Sequence, residues 1–143
     1  MGGFSPGGFG ALFEGQAKKG DFDAKAKVAR LQAAQAESRG RSQVSLHRER
    51  VNRLIGTQAA AAAGSNILVD DGIAAEIQVD TAFVGERDAI QIRNNAALEA
   101  WQFRTSAASF SAAADNAETI GKINALSEDI KFAAAVGGAG GAA

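Results

Sequence analysis

A search for residues able to do chemistry ends quickly in this sequence. His47 is the only histidine and there is no cysteine. A histidine pair, a His–Cys metal cluster and a Ser–His–Asp triad therefore cannot form within one chain. No set of acid, base and nucleophile converges, so the expected chain is not an enzyme, holds no metal and needs no cofactor. The acidic stretch "VDDG" (Val69–Gly72) resembles the end of a calcium loop, yet it lacks the alternating oxygen ligands and terminal glutamate of that motif. A capping turn is the expected role of Asp70 or Asp71. The glycines of "GGFSPGGFG" follow no strand, which argues against a phosphate or dinucleotide loop.

Arginine offers the remaining candidate. Arg39, Arg41, Arg48, Arg50 and Arg53 fall inside the run "RGRSQVSLHRERVNR". On a helix, Arg41 and Arg48 lie on one side and Arg39, Arg50 and Arg53 nearly opposite, whereas a DNA-reading helix concentrates its charge on one side. A solvated or ion-paired flank is the expectation, rather than direct nucleic-acid binding.

The elements that carry these residues are long helices. Between the glycine clusters at the two ends, helix breakers are sparse, and only Gly40 and Gly56 interrupt 21–63. Asp21 and Asp23 suit a helix start. The stretch "GSNILVDDG" (64–72) is the expected turn of an antiparallel helical hairpin, and the second helix is expected to run to about Ala117. The predicted organisation is a glycine-rich, flexible segment at 1–20, the hairpin over 21–118, and a C-terminal helical piece with a glycine/alanine tail over 119–143. The fold class is all-α.

The first helix carries a seam through Phe22, Ala29, Ala36, Val44, His47, Val51 and Leu54. It follows a heptad pattern with one extra step of four around Gly40. Most of these residues are small, so a partner backbone can come close, and the seam sets register better than it supplies energy. The second helix is apolar on several faces. Ile73, Ile77, Val84 and Leu98 share one; Val79, Phe83, Ile90 and Ala97 share another; Ile92, Phe103 and Phe110 share a third. One hairpin partner cannot cover three faces. Ile77, Phe83, Val84, Ile90, Leu98, Trp101 and Phe103 are therefore expected to pack between subunits.

Composition agrees that partners are needed. The chain has 143 residues, 33 of them alanine, against 33 Val, Ile, Leu, Met, Phe and Trp combined. Alanine buries little surface, so the core is thin. The net charge of −1 conceals an asymmetry: 21–63 has eight Lys or Arg against four acids, and 64–118 has three Arg against nine acids. Folded back on each other, or docked copy to copy, the halves are complementary. No run approaches the ~18 apolar residues of a membrane span, and the start lacks the positive and apolar regions of an export signal. A soluble chain, not exported by the usual route, is expected. Phe4, Phe9, Leu12 and Phe13 form an uncharged aromatic cluster suited to contact with a membrane interface or a partner.

The stretch "RLIGTQAAAAAGSNILVDDGIAAEIQVDTAFVGERDAIQIRNNAALEAWQFR" (53–104) resembles the small internal virion proteins, or ejection proteins, of T7-like short-tailed bacteriophages. The likeness rests on the "IG.Q.A..AA.G" helix end, the turn with "VDDG", and "D.A..GE.DA..IRNNAA.EA" followed by an aromatic and "FR". It covers about a third of the chain, in packing and turn residues, and so argues for architecture before activity. The resemblance implies a homo-oligomer carried inside the capsid near the portal and released with the DNA. It also implies work with larger ejection proteins to build a channel through the host cell envelope, through which DNA passes, with contact at the host outer membrane. A ring or tube of hairpins is the expected assembly. The alternative is a permanent structural subunit of the phage neck, tail or internal core, without membrane activity.

Overall fold

The structure, a computed structural model, describes residues 5–65, 69 and 72–138. It consists of two helices, α1 (Pro6–Gly64) and α2 (Gly72–Gly138), packed as an antiparallel hairpin with no strand among the described residues. Phe4, residues 66–68, the capping candidates Asp70 and Asp71, and the tail 139–143 lie outside the described residues.

Both helices are longer than expected. Helix α1 begins at Pro6, not near Asp21, and α2 continues through 118 without a break. The glycine-bearing stretch from Pro6 to Gly20 is thus helical, which corrects the reading of it as flexible. The cause is local and tertiary together. Ser5 is the N-cap: its Oγ accepts from the Gly8 amide at 3.1 Å, and its carbonyl accepts the first helical bond from Phe9. Pro6 takes the first helical position, where its missing N–H costs nothing. The cap is itself held by Asp129 on α2, whose Oδ1 accepts from the Ser5 amide at 2.9 Å and from its hydroxyl at 2.7 Å.

Contacts divide the chain into two units, one of Met1–Leu31 with Arg104–Ala143 and one of Gln32–Phe103. In the first unit, the residues turned inward on α1 are Gly8, Leu12, Gly15, Lys19, Phe22, Ala26 and Ala29. Those of α2 include Ala107, Phe110, Ala114, Ala117, Gly121 and Ala125. The α1 set, and the α2 set as far as Gly121, alternate steps of three and four, a heptad repeat, and one further step of four follows to Ala125. Gly15 and Gly121 face each other backbone to backbone: a methyl added to Gly15 would lie 2.8 Å from the Gly121 Cα.

The second unit changes period. Its α1 seam is Ala36, Gly40, Val44, His47, Val51, Ile55, Gln58 and Ala62. Its α2 seam is Gln78, Thr81, Gly85, Ala89, Ile92, Ala96, Ala100 and Phe103. Both repeat as four, four, three, an eleven-residue pattern that keeps a contact line on a nearly straight helix. The extra step of four around Gly40 is present, and a second follows at Val51. That second step turns Leu54 away from the seam, where it was expected; it is 51% exposed and Ile55 takes its place. Ala33, Ala36 and Ala100 form the buried cluster of this unit, with Phe103 packed on them.

Small residues at the seam let the backbones approach, and the close approach is what alanine and glycine contribute in place of bulk. A Cβ on Gly40 would lie 2.3 Å from the Ala96 Cβ, and one on Gly85 2.7 Å from the Val51 methyls. The gain comes from many short dispersion contacts rather than from large buried side chains. None of the latter is fully buried among the described residues.

Candidate interaction surface

Polar side chains along the seam fix its register. His47 Nε2–H donates to the Gly85 carbonyl at 3.2 Å, which is reachable because Gly85 has no side chain to cover it. Gln58 and Thr81 exchange hydrogen bonds, at 3.1 Å from the amide and 3.2 Å from the hydroxyl. The lone histidine is therefore engaged in packing. No buried side-chain nitrogen or oxygen lacks a partner among the described residues.

Ion pairs flank the seam. In the Gln32–Phe103 unit, Arg39 donates to Glu99 at 2.6 Å, and Arg48 grips Glu86 through two bonds of 3.0 and 2.5 Å. Arg53 pairs with Glu49 one turn away on its own helix. Three arginines of the basic run are thus engaged by carboxylates. The hydrogen bond from Arg48 holds the Glu86 carboxyl below its ordinary range. In the other unit, Glu118 binds Lys122 and Lys19. Hydrogen bonds first from Lys122 and then from Lys19 lower its pKa from 4.5 to about 2.

An open groove of about 860 Å³ lies along the Gln32–Phe103 unit, lined by Arg41, Arg48 and Arg93 together with Glu37, Glu49, Gly40 and Ala96. It has no converging catalytic set. Among the described residues, no group of three metal-binding side chains occurs and no helix is long and apolar enough to cross a membrane.

What the surface does offer is apolar. Of the residues expected to pack between subunits, Ile77, Phe83, Val84, Ile90, Leu98 and Trp101 are all exposed, Phe83 at 65% and Trp101 at 62%. Phe103 is the exception: it packs on its own chain's Ala33, Ala36 and Ala100, a correction that follows from its place on the eleven-residue seam. Of the expected seam, Ala29, Ala36 and Val44 are buried, while Phe22, His47 and Val51 are half-buried. Phe9 and Phe13 are exposed and Leu12 is half-buried. Exposed apolar residues that the sequence reading did not single out are Ile120, Ile123, Leu126, Ile130, Phe132 and Val136 on α2, and Val28, Leu31 and Leu46 on α1. Their signal was present in the spacing Ile123, Leu126, Ile130, a helical stripe opposite the small residues Gly121 and Ala125.

No family model matches this sequence, and no curated protein or solved structure is significantly similar to it.

Proposed function

We propose that this chain is one stave of a homo-oligomeric helical assembly that works as a bacteriophage internal virion, or ejection, protein. In this reading it is packaged near the portal, released with the DNA, and joins larger ejection proteins in a channel through the host envelope. The supporting observation is an inversion of the usual burial. Among the described residues twenty large apolar side chains are exposed, while the buried apolar side chains are alanines and Val44. Exposed apolar surface on that scale marks interaction sites. The chain exposes 10213 Å². That is about half as much again as the roughly 6,900 Å² that size scaling gives for a compact monomer of this mass. Oligomerisation is the economical way to remove the excess from water, and folding is then linked to assembly.

The assignment to a phage virion is carried by the sequence resemblance over 53–104. A thin core suits it, because few large side chains must be unpacked when a chain loosens to pass an aperture and then reassembles. Protein content of virions before and after genome release tests the ejection step. Loss of this chain from emptied particles is the expected result, and its retention would identify a permanent subunit of the neck, tail or core. Conductance across a planar bilayer, with the purified protein alone and with its larger virion partners, tests the channel step; discrete long-lived openings are expected.

A further inference from the structure

In the Gln32–Phe103 unit eleven residues make three turns, ~98° each, so residues eleven apart line up along the helix. One such line on α2 is Val79, Ile90 and Trp101, with Phe83 beside it. It runs about 130° round from the line of closest contact, and all four side chains are exposed. On α1 the line at the corresponding angle is Ala34, Ser45 and Gly56, also exposed. One helix thus presents a bulky ridge and the other a shallow furrow of the same period.

We infer that the α2 ridge of one copy seats in the α1 furrow of the next copy, head to tail. The inference rests on the oligomer reading above and specifies its interface. Three observations select a second copy as the occupant. A ridge repeating every eleven residues stays in register only with a helix of the same repeat, and α1 of this chain has it. Charge agrees: α1 within the unit carries five arginines against two glutamates, and α2 within the unit carries two arginines against five acids. The Arg39–Glu99 and Arg48–Glu86 pairs use part of this complementarity inside the chain; the remainder, one net positive charge on α1 and one net negative charge on α2, has the sign that favours a neighbouring copy.

Axial level is the third observation. Gly40 meets Ala96 and Val51 meets Gly85 inside the chain. Counting along both helices from those contacts puts Ala34, Ser45 and Gly56 level with Trp101, Ile90 and Val79, within about one residue's rise of 1.5 Å. A neighbour placed alongside with no axial shift brings all three pairs together. Head-to-tail contacts without rise close into a ring, whereas a rise would give a filament.

The ring has a definite inside. In antiparallel helices, equal angles taken in the same sense from the contact line fall on the same side of the pair. Ridge and furrow are both displaced toward the side bearing Arg41, Arg48 and Arg93, so successive copies turn that way. The charged groove forms the inner wall, and Leu46, Leu54, Ile77 and Val84 form the outer one.

The chain has no cysteine, which makes disulfide trapping clean. Ser45→Cys and Ile90→Cys are combined in one chain and also made singly, each checked for helicity by circular dichroism and for native mass before oxidation. The expected result is a ladder of covalent oligomers from the double variant ending at the ring's copy number, with neither single variant crosslinking. Dimers from Ile90→Cys alone would overturn the inference in favour of a two-fold α2–α2 contact. Preferred crosslinking of Ser45→Cys with Val79→Cys or Trp101→Cys would overturn the level ring in favour of a shifted, filament-like contact. An oligomeric native mass without any ladder would overturn this interface and leave the oligomer reading standing, whereas a monomeric mass would remove both.

Discussion

At the scale of single residues, the glycines of α1 differ sharply in role. Gly40 has no room for a methyl group against Ala96, while Gly20 opens onto empty space. Gly40→Ala is expected to cost about 1–3 kcal/mol through overpacking of the helix pair. Gly20→Ala is expected to stabilise by up to about 1 kcal/mol, the ordinary helix-propensity difference. Thermal melts followed by circular dichroism check both, and equal effects at the two sites would contradict the close approach. The sequence supports the weaker half of this result: an alanine-rich helix tolerates interior glycine. Why Gly40 is glycine depends on Ala96 across the seam, and no local pattern connects the two. The same holds for the cap, since Ser5 and Asp129 are 124 positions apart. Replacing Ser5 with Ala is expected to cost about 1 kcal/mol and to speed amide exchange in the first turns of α1 while leaving the Gln32–Phe103 unit unchanged.

At the scale of the elements, the hairpin and its small-residue seam were legible because period and residue size reveal them before any contact is known. The helix ends were not. Gly7, Gly8, Gly10, Gly15 and Gly20 read as a flexible composition, but at Gly8 and Gly15 α2 leaves no room for a side chain on this end of α1. Their lack of side chains is what the packing uses. The second eleven-residue step was also hidden, since Leu54 and Ile55 are neighbours and bulky enough to serve equally. Tertiary contact decides between them. Acid should loosen the first unit in a defined window. The folded-state pKa of Glu118 is depressed, so its contribution is fully present above 4.5 and is lost as pH falls toward about 2. Glu118→Gln is expected to flatten the pH dependence of melting across that window, and carboxyl titration by NMR reads the group directly. An unchanged acid limb in the variant would show that other carboxylates control it.

For the whole molecule, the exposed apolar side chains predict that stability depends on protein concentration. Melting temperature is expected to rise as concentration is raised, by mass action, together with the mass measured by sedimentation. Phe83→Ser is expected to lower the concentration dependence without lowering the helicity of the dilute chain, because Phe83 points away from the seam. The seam itself has a further consequence. Small residues do not make it a smooth track. In the Gln32–Phe103 unit a slide of one eleven-residue repeat would carry the Val51 methyls from Gly85, which has no Cβ to meet them, onto Ala96 or Ala74, which do. The His47–Gly85 bond and the Gln58–Thr81 pair lock the same alignment. Within that unit the two helices mesh like a key in its lock: they can part, but they cannot slip by a notch.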